Sequence, residues 1–335
     1  MEVIGACEAI DLDDGADVGA VRRRLAALAT EEGLDEARIG DAALIATELA
    51  NNVLRHARRG GALVGTARDG DRRGVVIAAW DRGPGMNVED CLRDGMSTAG
   101  TRGVGLGAVR RLATRFDSYA RPGRGSVVVA TVFPGSPLPR HGLAIGGTCV
   151  AYPGMTLCGD AWDAHGDGER ATVLACDGLG HGDGAAAAAA VVVRSFQAAP
   201  GASPAEILAA AHRAAHGTRG AAATVVRIDL ARRQLTVAGV GNVAVWLLDR
   251  TARQLATQHG TLGHAAPSQL REEHHVLPPG ALVVLCSDGI KSRWSFDDHP
   301  GLVVRDPTTI ATVMWRDLAR GRDDASVVVA REVVP

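Results

Sequence analysis

Two stretches of this chain end in the same way. Ala171 to Cys176 and Leu282 to Ser287 are apolar or β-branched runs that stop at Asp-Gly, giving TVLACDG and VVLCSDG. Runs of this length, bounded by charge and glycine, predict buried strands that each deliver a carboxylate at the C-terminal end. After Asp177 the chain enters Gly178-Leu179-Gly180-His181-Gly182. Glycine lets the backbone turn tightly there, so that a peptide carbonyl faces the same point as the Asp177 carboxylate. Hard cations such as Mg²⁺ and Mn²⁺ take all-oxygen clusters of this kind. A single Asp-Gly is the commonest hairpin signal, so the recurrence carries the argument. Asp160 follows a third such segment, Met155 to Gly159, and Asp323-Asp324 stand directly before a fourth, Ala325 to Ala330. Carboxylates at four strand ends predict a two-metal hydrolytic centre, because several anions must offset two dications.

In chain order, GD (159–160), DGLGHG (177–182), SDG (287–289) and DD-A-S (323–326) resemble the type 2C metal-dependent Ser/Thr protein phosphatases. The likeness is to the bacterial sporulation-phosphatase (SpoIIE-type) branch and, within it, to the short stressosome phosphatases. Gly239-Val240-Gly241-Asn242, between two strand-like runs, is similar to the signature of that last group. The resemblance spans about residues 142–335 and implies an α-β-β-α sandwich. It implies Asp160, Asp177, Gly178, Asp288 and Asp323 as ligands of two Mg²⁺ or Mn²⁺ ions, with Asp177 catalytic and Asp324 the alternative to Asp323. Many type 2C phosphatases place an arginine near the first metal Asp, whereas Leu157 to Asp163 holds no basic residue. The SpoIIE-type branch commonly lacks that arginine too.

The first half has a different pattern. Val18 to Ala29 shows helical spacing, and a longer helix is predicted over Asp35 to Ala57, with Ile39, Ala42, Ala46, Leu49, Val53 and Ala57 as its apolar stripe. Glu48, Asn52 and His56 are spaced by four and share another face. A solvated polar face is the ordinary reading, but Asn51-Asn52 in mid-helix is locally unfavourable and calls for a reason. Val75 to Trp80 predicts a buried strand ending in Asp81-Arg82-Gly83-Pro84-Gly85. Gly103, Gly105 and Gly107 open an amphipathic helix, where free backbone N–H groups and the helix dipole favour a phosphate, the alternative being an ordinary loop-to-helix turn.

Glu48…Asn52, DRGPG (81–85), GVGLG (103–107) and Gly123-Arg124-Gly125-Ser126 together resemble the GHKL (Bergerat) ATP-binding fold, and most nearly the anti-sigma and stressosome switch kinases. That resemblance implies an α/β sandwich that binds ATP with one Mg²⁺. Asn52 would hold the ion, Glu48 would act as base, and Asp81 with Gly83 and Gly85 would read adenine. Gly103, Gly105 and Gly107 would close over the phosphates. No phosphoacceptor-histidine helix precedes these boxes.

The expected class is therefore α+β, with a GHKL kinase-like domain at 1–134, a proline-rich linker at 135–141 and a SpoIIE-type phosphatase domain at 142–335. Net charge is −2 and aromatics are scarce, which argues against a nucleic-acid or membrane surface. The only lysine, Lys291, lies outside any Gly-Lys-Ser/Thr P-loop. Six cysteines form no Cys-x-x-Cys pair and read as reduced thiols of a cytoplasmic protein. His212 and His216 stand at i, i+4 but lack a third ligand for zinc.

The expected function is a bifunctional regulator of bacterial partner switching, a Ser/Thr kinase and phosphatase acting on a STAS-domain protein. That partner would be an anti-anti-sigma factor or stressosome subunit, with a sigma factor or other regulator downstream. The alternatives are a nucleotide-sensing or partner-binding module without kinase chemistry, and a two-metal hydrolase of a small phosphoester.

Overall fold

The computed structural model describes residues 1–57, 59–88, 91, 105–136, 142–249 and 251–333. The chain divides into two compact units. One comprises Val3–Pro139 together with Phe296–Arg316, and the other Met1–Glu2, Arg140–Ser295 and Asp317–Pro335. A segment that lies deep in the second half of the sequence thus packs with the first.

In the first unit, helices α1 (Gly15–Glu31), α2 (Glu36–His56) and α3 (Gly105–Leu112) accompany strands β1 (Glu2–Ala6), β2 (Glu8–Asp11), β3 (Gly60–Asp69), β4 (Arg72–Asp81), β5 (Arg115–Arg121) and β6 (Gly125–Val132). Helix α1 begins earlier than its apolar spacing predicts, because Asp14 caps it and Asp17 completes a capping box. Asp35 caps α2 by accepting from the Arg38 N–H at 2.8 Å. The strands run β1-β3-β4-β6-β5, with β2 beside β3. Val75, Ile77 and Ala79 of β4 join Leu25, Ile45, Leu49, Leu106 and Val109 in one core, so the helices cover one face of the sheet.

The other face is covered as well. Gly74 to Trp80 is buried throughout, and alternation puts Trp80 opposite the helical core. There it meets Trp315 of helix α6 (Pro307–Leu318) edge-on, with ring centroids 5.4 Å apart. Along the same segment the Thr308 hydroxyl donates to the Ile4 carbonyl at 3.5 Å, and the Asp306 N–H donates to the Asp117 carboxylate at 2.8 Å.

In the second unit two antiparallel sheets lie face to face. One runs β13-β12-β15-β16-β7 and the other β14-β11-β10-β9-β8. Their members are β7 (Gly142–Val150), β8 (Asp160–Gly166), β9 (Arg170–Gly178), β10 (Ala221–Asp229), β11 (Gln234–Val240), β12 (Ala244–Leu248), β13 (Ala252–Leu255), β14 (Glu273–Val276), β15 (Leu282–Cys286) and β16 (Ala325–Val333). The Trp162 indole sits against the bare backbone of Gly147, where a Cβ would come within 2.5 Å of the ring. Helices α4 (Asp183–Ala198) and α5 (Pro204–Ala214) cover the second sheet, packing Val192, Phe196, Ile207 and Leu208 onto Leu174, Val225 and Ala238.

One expected strand is absent among the described residues. Met155 to Cys158 is turn and irregular chain that leaves Met155 and Leu157 exposed, and β8 starts at Asp160. Pro153-Gly154 just upstream favours a turn over a ladder. Asp160 is therefore the first residue of a strand rather than the residue after one.

Candidate functional site

Antiparallel pairing decides where the carboxylates go. Asp160 at the start of β8 is the direct cross-strand partner of Asp177 near the end of β9. Asp288 follows β15, and Asp323-Asp324 precede β16, which is paired antiparallel to β15. One strand's end thus lies beside the next one's start, and the Asp residues gather at one edge of the sandwich.

Their surroundings differ. Asp324 is 2% exposed, and its two carboxylate oxygens are taken by the Tyr152 N–H at 2.7 Å and the Gly159 N–H at 2.8 Å. It anchors the turn that leads into Asp160. Asp323 is half-buried and accepts from the Asp324 N–H at 2.9 Å. Asp160 is 3% exposed, yet neither of its carboxylate oxygens has a hydrogen-bond partner. The Ser287 and Ser326 hydroxyls stand near without reaching hydrogen-bonding geometry. Burial pushes the Asp160 carboxyl up to about 7, helped by the charges of Asp324 and Asp288 and opposed by those two hydroxyls. Burial and the neighbouring Asp160, Asp288, Asp323 and Asp324 push Asp177 up to about 8. Asp288 is also raised, by burial and then by Asp323, against the pull of Asn242 and Arg320.

A buried carboxylate with both oxygens unpartnered is costly unless a cation meets it. The repulsion that raises Asp177 has the same remedy, so the residues present fit divalent metal. Among the described residues no three His, Cys, Asp or Glu side chains already enclose an ion. The site offers unmet acceptor capacity rather than a closed cage. Gly289, beside Asp288, has no space for a side chain, since a Cβ there would lie 1.9 Å from the Asp324 carbonyl.

Four neighbours of this cluster, Asn242, Tyr152, Arg219 and Arg320, had no assigned role in the sequence. The Asn242 amide donates to Asp288 at 2.7 Å, giving the GVGN stretch a task. Tyr152 stacks on His181 with centroids 5.2 Å apart, and Arg219 donates to the His181 carbonyl at 3.4 Å. His181 thus stiffens the glycine turn. Arg320 brings positive charge to Asp288. His212 accepts from the Gly263 N–H at 3.0 Å and holds a loop.

The second constellation lies in the first unit. Glu48 and Asn52 are half-buried on one face of α2. Gly83 approaches the C-terminal end of that helix, where a Cβ would stand 2.9 Å from the His56 carbonyl. The Asp81 carboxylate accepts from the Gly83 N–H at 2.6 Å, from the Ser126 N–H at 3.2 Å and from the Ser126 hydroxyl. A carboxylate offers about four acceptor positions, so room remains for one further donor such as an exocyclic amino group. Gly125 has φ +80° and passes so near Asp81 that a Cβ would lie 2.0 Å from its carbonyl oxygen. Gly123 donates to the Pro84 carbonyl at 2.8 Å, and α3 opens at Gly105 with Gly107 buried inside it. The boxes 81–85 and 123–126 therefore form one wall beside α2. Gly103 lies outside the described residues.

Residues 13–132 match the histidine kinase-like ATPase domain family, and residues 167–332 match the stage II sporulation protein E (SpoIIE) family. The chain is similar to the serine/threonine-protein kinase RsbT of Bacillus subtilis (strain 168), at 34% identity over 118 residues, 34% of this chain and 86% of the relative. It belongs to both families: an RsbT-like ATPase domain joined to a SpoIIE-type phosphatase domain. Among solved structures, one of the bacterial stressosome is 28% identical with a TM-score of 0.53, covering 56% of this chain and 99% of its own. The PP2C phosphatase domain of SpoIIE from Bacillus subtilis, with a fragment of its regulatory domain, shares the fold at 15% identity. Its TM-score is 0.51, over 96% of this chain and 95% of that one.

SpoIIE-type phosphatases are type 2C, metal-dependent Ser/Thr phosphatases, and ATPase domains of the GHKL kind bind ATP. Among the described residues no helix of this fusion is long and apolar enough to cross a membrane.

Proposed function

We propose that this chain is a bifunctional switch whose ATPase domain phosphorylates, and whose phosphatase domain dephosphorylates, Ser or Thr on a STAS-domain partner. The observation that carries the phosphatase half is Asp160, a buried carboxylate with two unpartnered oxygens facing three further acidic residues. Asp160, Asp177, Asp288, Asp323 and the Gly178 carbonyl would hold two Mg²⁺ or Mn²⁺ ions. When bound, the ions supply a water nucleophile at neutral pH and neutralise phosphate charge. Asp324, by binding the Tyr152 and Gly159 N–H groups, keeps Asp160 in register, and Asn242 does the same for Asp288.

In the ATPase domain, Asn52 would hold the Mg²⁺ of Mg·ATP, and Glu48, one turn earlier on the same face, would take the proton from the substrate hydroxyl. Asp81, oriented by Gly83 and Ser126, would accept from the adenine amino group. Gly85 would shape that wall, and Gly103, Gly105 and Gly107 would face the phosphates. RsbT, a relative of this domain, is a serine/threonine kinase. A cytoplasmic setting accords with six cysteines that form no disulfide among the described residues.

The test is to incubate the Asp177→Asn protein with ATP and a candidate STAS protein and to map the phosphorylated residue. Wild-type protein without ATP is then expected to remove phosphate from that same residue. A phosphatase that ignores it, or attacks only small phosphoesters, ends the opposing-switch reading.

A further inference from the structure

We propose that Arg316, contributed by the downstream segment 296–316, is a positioning residue of the nucleotide site. The inference rests on the reading of Asp81 as the adenine-recognising carboxylate.

Arg316 is 3% exposed. One terminal nitrogen of its guanidinium donates to two main-chain carbonyls, that of Asp81 at 3.2 Å and that of Ser126 at 3.2 Å. Its own carbonyl accepts from the Arg82 guanidinium. Asp81 ends β4 and Ser126 lies at the start of β6, and these are neighbouring strands. The two residues are also joined through side chains, since Ser126 donates to the Asp81 carboxylate by its N–H and its hydroxyl. Arg316 therefore clasps from behind the two pieces of backbone whose side chains set the Asp81 carboxylate from in front. Trp315, packed on Trp80, fixes where the helix stands relative to that strand end.

A buried guanidinium is an expensive group to place in a core, and it is retained where its donors meet acceptors that would otherwise be orphaned. Neither carbonyl has to be held this way for these two strands to pair, because the β4–β6 ladder is made by residues 75–80 and 127–132 and stops short of both Asp81 and Ser126. What the arrangement fixes is the pitch of the Asp81 and Ser126 peptides, and hence the direction in which the Asp81 carboxylate points. Arg316 itself touches no nucleotide.

The test uses the full-length protein with Mg²⁺, Arg316→Met and Arg316→Lys, and titrations with ATP and GTP. An adenine amino group donates to Asp81, whereas guanine presents a carbonyl there, so orientation of the carboxylate governs the ATP/GTP ratio. The expected result is roughly a tenfold loss of ATP affinity in Arg316→Met with GTP affinity unchanged, and a smaller loss in Arg316→Lys, which keeps a buried donor. Phosphatase activity on a phosphopeptide and the melting temperature report that the chain is folded. Equal loss of ATP and GTP binding alongside a lowered melting temperature in both variants makes Arg316 a purely structural residue and overturns the proposal. So does an unchanged ATP/GTP ratio in folded variants. Wild-type protein that does not prefer ATP overturns the adenine reading itself.

Discussion

Asp177 and Asp160 are carboxyls whose ionised forms are held back by burial and by the charge of neighbouring carboxylates. Metal supplies what the protein withholds, so Asp177→Asn or Asp288→Asn is expected to lower phosphatase turnover at least ~100-fold, about 3 kcal/mol of barrier. Asp177→Asn also removes one of the repelling anions, so its metal-free melting temperature is expected to hold or rise; assays with Mn²⁺ and melts in EDTA check both. Full activity in EDTA would end the metal reading. The same shifts predict a pH dependence. Both pKa values lie above the ordinary 3.8, at about 7 and about 8. Between those limits the folded chain holds protons that the unfolded chain has released, so this contribution to stability falls as pH rises from about 4 to about 8. Melting in EDTA is expected to show that fall, Asp177→Asn to flatten it, and saturating Mn²⁺ to remove it by taking the protons' place. A rise in EDTA across the same window contradicts the assignment.

The element that best shows what sequence reveals is α2. Its apolar stripe announced a helix, and Ala42, Ala46, Leu49 and Val53 of that stripe are buried; Ile45, buried beside them, and the Asp35 cap lay outside that reading. Asn52→Ala is expected to abolish Mg·ATP binding in the full chain while helical circular dichroism holds or increases slightly, since alanine is the better helix former by ~0.5 kcal/mol. Unchanged nucleotide affinity would make this face ordinary solvated surface. Strands β4, β9 and β15 were equally legible, since each holds a continuous apolar run. Strands β13 (ARQL) and β14 (EHHV) were not, because short, polar edge strands carry no period. The segment before Asp160 misled for a related reason: Met155 and Leu157 look like strand residues by type, but Pro153-Gly154 turns the chain and leaves them in solvent. The acidic residues of the site were legible because each interrupts an apolar run. Arg219 and Arg316 carry no such local signature, and Asn242, though it stands between two strand-like runs, does not announce its partner; only tertiary pairing gives all three their roles.

At the scale of the whole molecule, the proline-rich stretch after Val132 invites a cut between two independent halves, and the packing of residues 296–316 argues against one. Nothing in the spacing of helix α6 says which sheet it covers. Trp315 and Arg316 belong with Trp80, Asp81 and Ser126, and Thr308 and Asp306 with Ile4 and Asp117. A fragment ending at Pro139 leaves Trp80 and the face of β4 around it without that cover, and exposed apolar area of this kind is both a stability loss and an aggregation hazard. The expected outcome is that such a fragment melts well below the full-length chain and binds Mg·ATP weakly. Adding residues 296–335 as a separate peptide, or fusing 296–316 to the fragment, is expected to recover both properties. Circular dichroism melts and ATP titrations of the fragment, the fusion and the intact protein measure this directly. A fragment that matches the intact chain in both assays would show that the downstream segment is only a passenger on that face.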